Sequence, residues 1–189
     1  MIKDLVFKNR SYRRFYQNEI IELGTIKELI DLARLSGSAG NFQPLKYIIS
    51  NESVKNESIF KTLGWAGYLK NWTGPEEDEK PSAYIVILND LSISKNSFID
   101  IGISAQSMLL GAVEKDLGGC LLANINKKKL ATVLNIDANY EIGLIIALGK
   151  PKEQVVIDQI SLSADVKYWR DEKAVHHVPK REFQEIILR

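Results

Sequence analysis

Two hydrophobic rhythms alternate along this chain. Ile26, Leu29, Ile30 and Ala33 recur three and four residues apart, the spacing that gathers side chains on one face of an α-helix, until Gly37 stops the run. Thr25 and Glu28 open that helix as a capping-box pair. Phe98, Ile101, Ala105, Met108, Leu109 and Ala112 trace one face of a longer helix that ends near Gly118-Gly119. Residues 53–63 and 127–134 read as shorter helices, and Ile2, Leu5 and Val6 give a short periodic start. The second rhythm is the compact apolar run: residues 45–50, 83–88, 119–123 and 141–148 read as strands, with 83–88 buried. Helices and strands alternate without an internal repeat, which predicts a helix-flanked mixed sheet.

After Pro151 the pattern becomes less regular, and the chain closes on Phe183, Ile186, Ile187 and Leu188, apolar side chains that need a partner surface. Residues 73–81 are polar and rich in Glu and turn formers, so they read as a surface loop, too short for a domain linker. With 189 residues and 45% hydrophobic content the chain can bury a core unaided, and one domain spanning 1–189 is expected. A formal net charge of +1 leaves no electrostatic footprint for nucleic acid, and Lys127-Lys128-Lys129 reads as the solvated opening of a helix. The lone cysteine excludes an intrachain disulfide and agrees with a reducing compartment. No apolar stretch is long enough to span a bilayer, and the first residues lack a basic region followed by an apolar run. No membrane association and a cytoplasmic location are therefore expected.

Candidate chemistry sits in three separated clusters: Arg10, Ser11 and Arg13; Ser38-Ala39-Gly40-Asn41-Phe42-Gln43-Pro44; and the late pair Lys180-Arg181. Cations and small hydroxyls suit a phosphate and its tail, and loop amides suit the edge of a ring, so together they fit one phosphate-bearing planar ligand. The candidate is flavin mononucleotide (FMN). Each cluster taken alone also has a plainer explanation. Cations at a helix end complement its dipole, and Gly37, Gly40 and Pro44 suffice for a helix stop and turn. Other constellations are incomplete. His176 and His177 are adjacent and point apart in a strand or turn, and no Cys or acid cluster completes a metal set, so no metal is expected. Cys120 lies in a predicted strand and reads as a small hydrophobe. Neither a Gly-x-Gly-x-x-Gly nor a Walker loop occurs.

Asn9-Arg10-Ser11-Tyr12-Arg13-Arg14-Phe15 resembles the Arg-Arg-Ser-x-Arg-x-Phe signature of the nitroreductase family, and residues 38–44 resemble that family's Ser-Ala-x-Asn-x-Gln-Pro segment. Residues 100–110 are similar to its long central helix, residues 117–124 to its glycine turn and following strand, and residues 146–151 to its Ala-Leu-Gly-x-Pro strand end. Residues 168–172 and 176–181 resemble a tail of the small-sized branch, so the resemblance covers nearly the whole chain.

That resemblance implies an α+β, nitroreductase-like fold: a central mixed, mainly antiparallel sheet flanked by helices, with a C-terminal segment exchanged in a homodimer. It implies FMN at the dimer interface. Arg10 and Ser11 would address phosphate and ribityl oxygens, Arg13 the N1/O2 side or the ribityl chain, and Lys180 and Arg181 the phosphate. Ser38, Ala39 and Asn41 would clamp the ring edge, and backbone groups of Leu122, Ala123 and Asn124 would face N5 and O4. The implied reaction is ping-pong: hydride passes from NAD(P)H to flavin N5, and a nitroaromatic, quinone or similar acceptor then takes electrons at the same flavin face. The flavin carries that chemistry, so no catalytic side chain is assigned. Dehalogenation, enone reduction or flavin fragmentation on the same fold, and a non-catalytic dimeric flavin-binding module, stay open as alternatives.

Three departures from the family pattern matter. Asn9 replaces the first Arg and removes a phosphate-directed charge, which Arg14 could offset. Gly37 stands where the family often has proline. Where larger members carry a mid-chain Asn and Lys, this chain has Gly64-Trp65-Ala66-Gly67-Tyr68-Leu69, in which Trp65 and Tyr68 either line a substrate pocket or pack in the core.

Overall fold

The apolar runs become the middle of a sheet covered on both faces. A computed structural model describes residues 1–188. Its four-stranded sheet runs β1 (Leu45–Ser50), β2 (Ala83–Asp90), β4 (Tyr140–Gly149), β3 (Gly118–Leu122) in spatial order, and every pairing is antiparallel. Along β2 successive side chains alternate between faces. Ile85 and Ile87 enter one core with Ile146 and Leu148, while Tyr84, Val86 and Leu88 enter the other with Ile145 and Ala147. Helices α2 (Leu23–Leu35) and α4 (Phe98–Glu114) cover the first face through Ile26, Leu29, Ala105 and Met108. On the second face lie α3 (Ser53–Phe60) and α5 (Lys127–Leu134), which contribute Ile59 and Leu130. Short α1 (Ile2–Lys8) precedes them all.

Helix boundaries differ from the sequence expectation in two places. Helix α2 begins at Leu23 with Glu22 as its cap, which puts Thr25 inside the first turn, so the capping box does not form. Glu28 instead pairs with Lys115 at 2.6 Å. Helix α3 stops at Phe60, and Leu63 leaves helical geometry to bridge Ile125.

The larger addition lies in the tail. Strands β5 (Val155–Ile160), β6 (Trp169–Arg170) and β7 (His176–Arg181) form a second sheet in the order β5-β7-β6. Here β5 and β7 run parallel, and this small sheet, not the central one, is the mixed one. Beyond it Phe183–Ile186 make a turn of 3-10 helix with Phe183, Ile186 and Ile187 exposed. The acidic loop is pinned to its surroundings. Glu79 accepts from Arg14 Nε at 2.7 Å, and its carbonyl accepts from the Phe15 amide at 2.9 Å. Among the described residues no helix is long and apolar enough to cross a membrane.

Candidate functional site

Two distant stretches of chain meet at the edge of β3. After α1, Ser11 bridges Gly119 in parallel and the Tyr12 amide donates to the Gly119 carbonyl at 3.0 Å. Gly119 is required there, because a Cβ would stand 2.7 Å from the Ala147 carbonyl oxygen and 2.7 Å from the Leu109 side chain. From the other end of the chain, β7 brings His176, Val178 and Lys180. A cavity of about 290 Å³ opens between them, and Arg10, Ser11, Arg13, Tyr168, His176 and Lys180 all line it.

Arg13 is the most constrained side chain at this site. Its amide donates to the Glu153 carboxylate in a short contact. Its Nη1 donates to the Ser11 carbonyl at 3.1 Å and to His176 Nε2 at 3.0 Å, and its guanidinium lies 4.5 Å over the Tyr168 ring. Glu153, with its side chain 0% exposed, also accepts from Arg170 Nη2 at 3.0 Å. Burial, and then the neighbouring charges of Arg13, Arg170 and His177, push the His176 imidazole down to about 4, so it is neutral at physiological pH. Arg10 donates to the Val6 carbonyl at 2.7 Å, and its Nε is buried without a partner.

The remaining candidates are distributed elsewhere in the single chain. Ser38 borders a separate cleft with Tyr47, Asp100 and Ser104. The Ala39 amide is engaged by Asp100 Oδ1 at 3.2 Å, and Ser38 Oγ accepts from the Gln43 amide at 2.9 Å. Asn41, at φ 55°, takes a left-handed conformation that its short polar side chain tolerates. Leu122 points into the core, and its neighbour Leu121 lines the cavity instead. Asn124 faces the aromatic segment: its carbonyl accepts from the Gly64 amide at 2.9 Å, and its Nδ2 stands 2.0 Å from where a Gly64 Cβ would be.

Trp65 is buried in the second core, 5.8 Å from the Phe60 ring, whereas Tyr68 is 51% exposed and meets Tyr168 at 4.9 Å with the two rings tilted by 54°. Tyr68 therefore adjoins the cavity through Tyr168, and Trp65 is a core residue that does not line it. Arg181 donates to the Leu162 carbonyl at 2.6 Å and does not line the cavity. Arg14 is occupied by Glu79 through both Nε and Nη2, so it does not replace the charge lost at Asn9. His177 turns away from His176 to Asp158 at 3.0 Å and stacks on Trp169. Cys120 is buried, and burial pushes its thiol up to about 11.

Gln106 and Leu121, which also line the cavity, and Tyr168, His176 and Glu153 escaped the sequence reading of the site. Strand alternation could have selected Leu121, which faces opposite to Cys120 and Leu122. A single acid after a strand end gave no signal for Glu153.

The sequence profile of the nitroreductase family, a family of oxidoreductases, matches residues 6–150, and the chain belongs to that family. A protein of Archaeoglobus fulgidus whose name pairs NADH dehydrogenase with NAD(P)H nitroreductase is 25% identical over 158 residues, covering 79% of this chain and 85% of that protein. Among solved structures, a nitroreductase family protein of Streptococcus pneumoniae TIGR4 superposes with TM-score 0.71 at 16% identity, covering 100% of both chains. An FMN-dependent nitroreductase of Clostridium difficile R20291 superposes with TM-score 0.64 at 21% identity, covering 79% of this chain and 87% of that one.

Proposed function

We propose that this protein is an FMN-dependent oxidoreductase that takes electrons from NAD(P)H and delivers them to a nitroaromatic, quinone or similar small acceptor. The observation that carries the reading is the convergence of Arg10, Ser11, Arg13 and Lys180 on one cavity from opposite ends of the chain. This donor set fits a phosphate-bearing ligand. Lys180 supplies a cation, Ser11 a hydroxyl, and the unpartnered Arg10 Nε an N–H with no competing acceptor. The Arg13 guanidinium bonds through Nη1 only, and its positive charge favours a developing negative charge at a ring edge. Bound FMN supplies the hydride relay between donor and acceptor in a ping-pong cycle. Tyr68, half-exposed and in contact with the cavity residue Tyr168, offers an aromatic face on which a flat acceptor can stack.

A homodimer belongs to the same proposal. Phe98 and Ile99 on α4, and Phe183 and Ile186 in the tail, are exposed apolar side chains of the kind an oligomer interface covers. Ser38, Ala39 and Asn41 do not line the Arg10 cavity of their own chain. In a dimer with exchanged C-terminal segments, a second copy supplies this loop to the ring edge, and backbone groups of Leu122, Ala123 and Asn124 line the opposite edge. Purified protein is expected to be yellow, dimeric by light scattering, and bleached by NADH or NADPH under argon, with colour restored by a quinone or nitroaromatic. A colourless protein that does not bind added FMN overturns the proposal.

A further inference from the structure

We infer that His176 is a positioning residue that aims the free edge of Arg13 into the cofactor cavity, and through it sets how strongly the site prefers reduced over oxidised flavin. The inference rests on the FMN reading above. A guanidinium keeps its protons and has no acceptor, so the 3.0 Å contact between Arg13 Nη1 and His176 Nε2 has one polarity: arginine donates and the imidazole accepts. The single imidazole proton is then on Nδ1, which is buried without a partner. The ring itself is 0% exposed and lies 5.2 Å from Tyr168, whose own ring carries the guanidinium. All the hydrogen bonds of the Arg13 head therefore fall at Nη1, and Nε and Nη2 have no partner among the described residues. Without the His176 acceptor, the head keeps one carbonyl contact and one ring face. It is then free to turn about its last side-chain bonds, and its unpartnered N–H groups lose their fixed direction.

The test compares wild type, His176→Phe and His176→Gln, each in the Arg13 and the Arg13→Ala background. Phenylalanine fills the buried space but removes the acceptor, and glutamine restores an acceptor oxygen. The readouts are the FMN dissociation constant by fluorescence and the two-electron midpoint potential. His176→Phe is expected to weaken the preference for reduced over oxidised flavin about tenfold, equivalent to about 30 mV in a two-electron couple. His176→Gln is expected to recover most of that loss. In the Arg13→Ala background the His176→Phe change should add nothing, because the two residues act through one contact. Equal potentials in wild type and His176→Phe, or an undiminished drop in the Arg13→Ala background, overturn the inference. Failure of wild type itself to bind FMN defeats the cofactor reading instead, and the two failures are distinguishable.

Discussion

Glu153→Ala tests the joint that holds the site together. The carboxylate accepts from the Arg13 amide and from Arg170 Nη2, so one buried side chain ties the N-terminal segment to β6. Truncation leaves the Arg13 amide without its acceptor. Arg170, with its side chain only 15% exposed, keeps little besides the Trp72 ring at 4.8 Å. Removing one partner of a buried pair typically costs about 3–5 kcal/mol, against roughly 5–15 kcal/mol for a whole domain. With a urea m-value of about 2–3 kcal/mol/M, the unfolding midpoint should fall by about 1–2.5 M. Glu153→Gln retains an acceptor and nearly the same volume, so about half that loss is expected. Glu153→Ala with Arg170→Leu should recover part of it by removing the stranded cation. Urea denaturation followed by tryptophan fluorescence measures all three. A Glu153→Ala midpoint corresponding to a loss under about 0.5 kcal/mol, the worth of an exposed ion pair, would refute the reasoning.

Three further outcomes are expected. Gly119→Ala sets a methyl group 2.7 Å from the Ala147 carbonyl, a backbone atom that cannot step aside, so a loss of about 1–3 kcal/mol and faster hydrogen exchange at the Tyr12 amide should follow. Gly64→Ala drives against the Asn124 side chain, and nearest-neighbour shifts in the spectra of Tyr68 and Tyr168 should reveal displacement of the aromatic segment with little loss of stability. His176 is held neutral to about 4 in the folded protein but protonates near 6.5 when unfolded, so the unfolded chain binds the extra proton between those values. Stability should therefore fall as pH drops through that window, by on the order of 2–3 kcal/mol, and urea titrations at pH 7 and 4.5 should show a smaller drop for His176→Gln.

The parts of the fold that announced themselves were those in which local pattern and burial agree. β2 and β4 are covered on both faces and read as continuous apolar runs, and α4 shows its buried stripe at helical spacing. The second sheet gave less signal. β6 has two residues and β7 carries Pro179 and four basic or imidazole side chains, so neither looks like a strand on its own, whereas the β-branched run of β5 carried a strand signal that the sequence reading passed over. Arg10, Ser11, Arg13 and Lys180, singled out in the sequence by their chemistry together with a family resemblance, line one cavity. His176 and Glu153 acquire theirs only from neighbours remote in the chain. The expected capping box failed because α2 begins two residues ahead of Thr25, with Glu22 as its cap, and Glu28 pairs instead with Lys115, far away in sequence.

Arg13 and His176 stand 163 positions apart yet touch at 3.0 Å. A polypeptide emerging from the ribosome consequently cannot close this cavity until residues 176–180 have cleared the exit tunnel. Fragments from interrupted translation or proteolytic trimming upstream of that point lack the cavity wall that His176, Val178 and Lys180 supply.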